Sequence, residues 1–253
     1  MKTLRMAVAA ATLLAAGHAA ALGNLAEVSV YDRTEGRWLQ VYRHEGRAYV
    51  VGKPGHEYQV RVHNRLREEL LAVVSVDGVN VITGQTANPS QSGYVIAPRG
   101  VLDMNGWRRS LAQTAAFYFT ALPDSYAART GRPDDVGVLG VALFRKKPQP
   151  QPQPIAPAES AKPQARSEAS SDAAGAVARA PERERLGTGH GRHEASHAVH
   201  VAFERASTAP AELIALHYDS RANLVARGII REPVQVAPTL PRPFPGFVPD
   251  PRS

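Results

Sequence analysis

Apolar and polar residues alternate along much of the first half of the chain, with the two-residue period of a β-strand. Tyr58, Val60 and Val62 alternate with polar residues, which places the three apolar side chains on one face. Further along, apolar residues stand on both sides of Asp77-Gly78, a pair that tolerates the positive φ angles of a two-residue turn. The pattern predicts a half-buried strand followed by a β-hairpin.

Similar short patterns recur up to residue 147, separated by turn residues. They predict further strands at 28–31, 38–43, 48–51, 70–74, 93–96, 115–120 and 136–144. No helical period is long enough to cross over between parallel strands, so the fold class expected is mainly β, an antiparallel β-sandwich or jelly-roll. Residues 124–131 interrupt the pattern between Pro123 and Pro133 and predict a loop with one helical turn.

Composition divides the rest of the chain. Residues 24–147 form the expected sandwich domain, and residues 148–185, rich in Pro, Gln, Ala, Ser and Glu, predict a disordered linker. Its Pro-Gln run should extend as polyproline II at about 3 Å per residue. Residues 186–237 predict a small C-terminal segment of αβ or β structure, and residues 238–253 a Pro-rich tail.

Within the C-terminal segment, two strands and one helix are expected. Residues 199–205 and 213–218 alternate well enough to be strands. Asp219 or Ser220 can cap a short helix that runs through Arg227, and Gly228 can supply the left-handed residue at its end.

The N-terminus has the features of a secretory signal peptide over residues 1–22. Lys2 and Arg5 precede an apolar run, and small residues follow at 19–21. The alternative is an uncleaved anchor, although the run is short for a membrane span. The chain has no cysteine, which excludes disulfides, thiolate ligands and a thiol nucleophile. We therefore expect a periplasmic or secreted protein with no membrane span after the signal.

The net charge of +7 is a weak basis for nucleic-acid binding, because no basic run is interleaved with aromatic residues. We expect no nucleic-acid partner. An envelope protein or an envelope polysaccharide is the expected partner class.

Several strings in both patterned segments carry a family resemblance. They are VSVDGVNVITG at 74–84, GYVIAP at 93–98, GWR at 106–108, SYAARTG at 125–131, VGVLGV at 136–141, LGTGHG at 186–191, FERAS at 203–207, YDS at 218–220 and NLVA at 223–226. With these strings the chain resembles an uncharacterised family of exported proteobacterial proteins. The resemblance supports the division of the chain, and it implies no activity.

One motif has a possible catalytic chemistry. His193, Glu194 and His197 fit the H-E-x-x-H pattern of zinc hydrolases, in which two imidazoles on one helix face bind zinc and the glutamate activates water. His190 and His200 flank the motif. The context weakens this hypothesis, because glycines precede the motif and the helix would have almost no apolar face.

Other residues could bind a ligand that is not a metal. Arg129 and Arg132 stand in the irregular loop and could hold a ligand at the rim of the sandwich, and Trp107 or Trp38 could stack on a sugar ring. The function expected is that of an exported, non-enzymatic interaction protein without a cofactor. The alternatives are a zinc-dependent hydrolase that uses Glu194, and a carbohydrate-binding β-sandwich.

Overall fold

Two β-sheets face each other across one hydrophobic core in the computed structural model, which describes residues 22–148 and 185–231. The strands are β1 Ala26–Asp32, β2 Arg37–Trp38, β3 Tyr42–His44, β4 Arg47–Val51, β5 Glu57–Asn64, β6 Leu70–Val76, β7 Val79–Asn80, β8 Tyr94–Ile96, β9 Val101–Met104, β10 Gly106–Ser110, β11 Gln113–Ala121, β12 Val138–Arg145, β13 Leu186–Ala195 and β14 Glu212–Asp219. A 3₁₀ turn, Leu122–Asp124, precedes helix α1, Tyr126–Arg129, and helix α2 is Arg221–Ala226. The expected mainly-β sandwich is confirmed.

The strand order places both patterned segments in both sheets. The first sheet has the order β10-β11-β5-β1-β2, with β13 also on β11 and β9 also on β5. The second sheet has the order β3-β4-β14-β12-β6-β7, with β8 also on β6. All of these pairs are antiparallel except β4 with β14, which run parallel. Among the described residues, no helix is long and apolar enough to cross a bilayer.

Most local predictions for the first half are confirmed, but the strand expected at 38–43 is wrong, because the chain leaves the first sheet after β2 and enters the second sheet at β3. Strands β9 and β10 were not predicted. Tyr58, Val60 and Val62 are fully buried on the inner face of β5. Asp77 and Gly78 form the two-residue turn between β6 and β7, with φ angles of 51° and 69°. The predicted loop at 124–131 contains the single short helix α1.

The C-terminal segment does not stand apart from the sandwich. Strand β14 lies between β4 and β12, with Leu216 opposite both Ala48 and Leu139. Strand β13 pairs with β11 over almost its whole length. The boundary that composition suggested therefore does not follow the sheets. The expected signal peptide except Leu22, nearly all of the expected linker and the Pro-rich tail lie outside the described residues.

Within that segment, the α2 prediction is correct and one strand prediction is wrong. The Ser220 hydroxyl accepts a hydrogen bond from the Asn223 amide at the start of α2, and Gly228 has a φ of 71° after its end. The strand expected at 199–205 is absent, and only Arg205 bridges to Lys146. In residues 199–202, the apolar and the polar side chains are all exposed, so the alternation there does not reflect a buried face.

Strand β13 was not predicted, and it contains three glycines. A Cβ at Gly189 would lie 2.2 Å from the Tyr118 ring, and one at Gly187 would lie 2.6 Å from Ser125. Glycine is needed at these positions because neighbouring groups cross close to the backbone.

Candidate functional site

The motif that suggested zinc lies on a strand, and its residues separate. His193 and Glu194 are consecutive residues of β13, so their side chains point to opposite faces of the first sheet. His197 follows the end of the strand and lines a groove elsewhere with His200. The helix that the zinc hypothesis requires is therefore replaced by a strand and an irregular segment.

Glu194 belongs to an ion-pair network. Its carboxylate contacts the guanidinium groups of Arg33 at 2.9 Å and Arg192 at 2.5 Å. Both arginines also pair with Glu57, at 3.4 Å and 2.7 Å. The hydrogen bond from Arg192 is the main reason that the pKa of Glu57 is lowered. The network ties β13 to β5 across the intervening β11, which is a structural role for the proposed catalytic glutamate.

A second group of residues gathers on the other face of β13, and we call it the cationic platform: Arg109, Tyr126, Arg129, His190 and His193. A bulge in the β11–β13 ladder places His190 opposite Phe117 and His193 opposite Ala115. Three residue positions along β13 thus span the same length of the ladder as two positions along β11, which brings both imidazoles to one face. Their ring centroids are 6.4 Å apart.

Helix α1 and strand β10 complete the platform. The Tyr126 ring stacks on His190 at 5.5 Å, and Arg129 lies one helical turn after Tyr126. A guanidinium nitrogen of Arg109 contacts Nε2 of His193. The pKa of His190 is lowered, first by partial burial and then by the charge of Arg109, with smaller contributions from His193 and Arg129.

The other candidate rim residues lie elsewhere. The Arg132 guanidinium donates to the Gly84 carbonyl at 3.1 Å and to the Thr130 hydroxyl at 2.9 Å, so it holds the loop together. Trp107 is only 3% exposed and packs beneath Tyr126 at 4.9 Å. Trp38 is the more exposed tryptophan, at 37%, but Arg61 already covers its ring at 4.7 Å. Trp107 therefore offers no free face for stacking on a sugar, and Arg61 occupies one face of Trp38.

A groove of about 480 Å³ lies on one flank of the sandwich, and we call it the flank groove. Strand β8 pairs only with β6 and strand β9 only with β5 among the described strands, so each has one edge without a strand partner. Tyr94 and Val95 of β8 line one wall, and Asp103 and Met104 of β9 line another. The groove is thus bordered by open strand edges from both sheets.

The irregular segment 196–205 forms the third wall of the groove. At its start, the amides of Ser196 and Ala198 donate to the turn between β10 and β11. At its end, Arg205 donates to the carbonyls of Pro89 and Gln91, at 2.9 Å and 2.6 Å. Residues 199–203 make no backbone hydrogen bond within the described part of the chain. We call residues 196–205 the strap.

Unsatisfied polar atoms concentrate beside the groove. The buried atoms Asn105 Oδ1, Trp107 Nε1 and Thr114 Oγ1 have no hydrogen-bond partner in the described structure. Asn105 and Thr114 both line the groove. Asn105 links β9 to β10. Strand β9 pairs with β5, whereas β10 pairs with β11. Buried polar groups normally have hydrogen-bond partners. The atoms that lack one here lie near the point where the first sheet divides.

Among the described residues, side chains that could ligate a metal come together at one place, where Asp32, Glu35 and His56 meet. The Asp32 carboxylate accepts hydrogen bonds from the amides of Thr34 and Glu35 within a turn. Its other oxygen lies 2.8 Å from Nδ1 of His56. Hydrogen bonds from Lys53 and Arg37 lower the pKa of Glu35 to about 2. These carboxylates are already engaged by protein groups, so the cluster is explained without a metal.

Asp77 is the centre of a fully buried polar network. Its carboxylate accepts hydrogen bonds from the Tyr218 hydroxyl at 2.5 Å, the Gly137 amide at 2.9 Å and the Thr188 amide at 2.7 Å. The Thr188 hydroxyl lies 2.6 Å from both the Tyr58 and the Tyr218 hydroxyls. Burial raises the pKa of Asp77 to about 6, although four hydrogen bonds oppose the rise.

The same network draws on both segments of the chain. Asp77 comes from the first segment, and Thr188 and Tyr218 come from the C-terminal segment. These residues meet inside the core and have no exposed surface to offer a ligand. Their role is therefore to join the two segments of the sandwich.

No protein-family model matches the chain, and the comparisons with curated proteins and with solved structures gave no significant match. The site must therefore be interpreted from its own geometry. Sequence reasoning singled out Arg129, His190 and His193, but it missed Arg109 and Tyr126. No local signal reveals Arg109, because its contact with His193 joins residues 84 positions apart.

The separation of the histidines leads to a prediction about zinc. We expect the dialysed protein to retain no stoichiometric zinc, because His193 and His197 do not face one another and Glu194 is held by two arginines. Elemental analysis of the protein beside a His193→Ala, His197→Ala double variant checks this. One zinc per chain in the parent protein that is lost in the variant would contradict it.

Proposed function

We propose that this chain is an exported, non-enzymatic binding module, and that it holds an extended segment of an envelope protein in the flank groove. The observation that carries the proposal is the pair of open strand edges, β8 and β9, that border the groove. Export rests on the signal-peptide pattern of residues 1–22.

An open strand edge is a natural docking site for a peptide. It presents unpaired N–H and C=O groups, which an added strand satisfies while its side chains enter pockets beside the edge. In the antiparallel β5–β9 ladder, alternate residues of β9 direct their backbone groups away from β5. The groove walls combine apolar Tyr94, Val95 and Met104 with polar Asp103 and Ser92, which suits a segment of mixed character.

The strap gives the groove an adjustable wall. Arg108 holds its start, donating to the Ser196 carbonyl at 2.6 Å and to the Ser196 hydroxyl at 3.0 Å. Beyond this anchor, Val199 and Val201 are 81% and 58% exposed. A bound segment could cover these apolar side chains.

A binding role is also favoured by the chemistry of the side chains in the groove. His197 and His200 lie there without a carboxylate or hydroxyl bonded to them in the described structure. A nucleophile needs a base within hydrogen-bond reach, and the base needs an orienting group. The arrangement therefore supports recognition more than catalysis.

Site-specific photocrosslinking in the exporting cell tests the proposal. A photoreactive amino acid at Val199 is expected to give one discrete adduct with an envelope protein, because this position lines the groove. Leu213 provides the matched control, since it is an apolar side chain of similar exposure, 68%, that does not line the groove. No adduct from position 199, or the same adduct from both positions, would contradict the proposal.

A further inference from the structure

The cationic platform lies apart from the flank groove and has a chemistry of its own. We propose that Arg109, Arg129, His190 and His193 form a binding site for a phosphate- or sulfate-bearing anion. The site is built by three elements that are distant in sequence: β10 supplies Arg109, α1 supplies Arg129, and β13 supplies the two histidines.

Local geometry gathers these groups on one surface. The bulge in β13 turns His190 and His193 to the same face of the sheet. The Tyr126 ring stacks on His190, which holds the imidazole in place. Arg109 contacts His193 from the neighbouring strand. All four cationic or titratable groups are exposed at the residue level, so an incoming anion can reach them.

The charge balance of the platform points to an anion. Many arginines of this protein are matched by carboxylates, as Arg61 is by Asp103 and Arg145 is by Glu68. Within the described residues, no Asp or Glu forms an ion pair with Arg109, Arg129, His190 or His193. Besides partial burial, the guanidinium groups of Arg109 and Arg129 both act on His190 and lower its pKa. Their mutual repulsion is relieved when an anion lies among them.

The donor set selects the class of anion. Guanidinium groups present several N–H donors that match the oxygens of phosphate or sulfate, and charge-assisted hydrogen bonds of this kind are stronger than neutral ones. An imidazole adds a further donor once it is protonated. The contact between Arg109 and Nε2 of His193 places a donor against a ring nitrogen that accepts, and a bound oxyanion would accept from both groups instead.

Two sources share this chemistry, the free anion and an anionic group on a polymer. Inorganic phosphate and dextran sulfate represent them in the test. The histidine ring resonances of the whole protein are followed by NMR at pH 6 while either probe is added. We expect saturable shifts of His190 and His193, whereas His63, which lies on the outer face of β5, should not respond.

An Arg109→Gln, Arg129→Gln double variant is the decisive comparison. We expect its affinity to fall by about tenfold or more, since each lost charge-assisted contact contributes on the order of 1 kcal/mol. Arg43→Gln is the matched control, because Arg43 is an exposed arginine without an acidic partner in the described structure. The control should bind within about twofold of the parent protein, as expected for a charge outside the site.

The outcomes separate cleanly. Saturable binding of either probe that the double variant weakens and the control retains supports the site, and the probe that binds more tightly identifies the source. Absence of a saturable shift with both probes overturns the proposal, as does equal loss of binding in the double variant and in Arg43→Gln. Neither result bears on the photocrosslink from Val199, so this site and the flank groove are tested independently.

Discussion

A chain that ends at Pro148 is expected not to fold. Strand β14 lies between β4 and β12, so its removal splits the second sheet in the middle and leaves β4 and β12 each with one unpaired edge. The lost residues include Leu186, Leu216 and Tyr218, which are all at most 4% exposed. Each large buried side chain stabilises the fold by about 1.5–3 kcal/mol, against a total free energy of unfolding of about 5–15 kcal/mol for a typical domain. Circular dichroism and the dispersion of the amide NMR spectrum measure the result.

The matched control is the full chain cut by a protease between residues 149 and 184. Both segments are then present, and we expect them to remain together in size-exclusion chromatography, because the ladders of β13 and β14 and the core hold them. A dispersed spectrum from the chain ending at Pro148 would show that the first segment folds by itself, as its composition suggested.

Asp77→Asn is expected to have the second largest effect. Asparagine tolerates the positive φ angle of this turn position, but its amide group would face the Thr188 amide, so that two donors meet where a carboxylate oxygen now accepts. A buried donor left without an acceptor costs about 1–3 kcal/mol. Chemical denaturation at fixed pH measures the loss, and Ser75→Ala, on the adjacent strand β6, serves as a mild control.

The effect of Asp77→Asn should also depend on pH. The folded pKa of Asp77, about 6, lies above its ordinary value of 3.8, so the folded state holds this proton more tightly than the unfolded state. Its contribution to stability is fully present below pH 4 and is lost as the pH rises to about 6, a change of about 3 kcal/mol. The free-energy difference between the parent protein and Asp77→Asn should shrink by about this amount over the same range.

Comparison with the variant is needed because other carboxyl groups act in the opposite direction. The pKa of Glu57 is lowered mainly by its hydrogen bond from Arg192, so its contribution to stability is lost as the pH falls. Subtracting the two pH profiles removes such shared contributions and leaves that of Asp77. A difference that stays constant between pH 4 and pH 7 would contradict the assignment.

The sequence predicted those parts of the fold that local pattern determines. Strand β5 and the Asp77-Gly78 turn are encoded within a few residues, by alternation and by tolerance of positive φ. Helix α2 is encoded by Ser220 and Gly228 at its ends. For these elements the tertiary structure adds packing but does not alter the local preference.

Tertiary contacts decided what the sequence missed. Strand β13 contains three glycines and exists because β11 offers it a ladder and Tyr118 crosses it closely. Val199 and Val201 alternate like a strand but face solvent. The candidate histidines were identified correctly as a cluster in sequence, yet the bulge and the end of β13 divide them between two surfaces. Such a division depends on a register that no local signal contains.

The position of β14 also affects how the protein is made. Its partners β4 and β12 emerge from the ribosome well before residue 219 does, and they cannot be joined until that residue is available. The growing polypeptide therefore remains without a completed second sheet until β14 has been synthesised. Long-range pairing of this kind slows folding, because the ends of a large loop must meet first. Until that point the polypeptide stays open, which is a state compatible with the export proposed above.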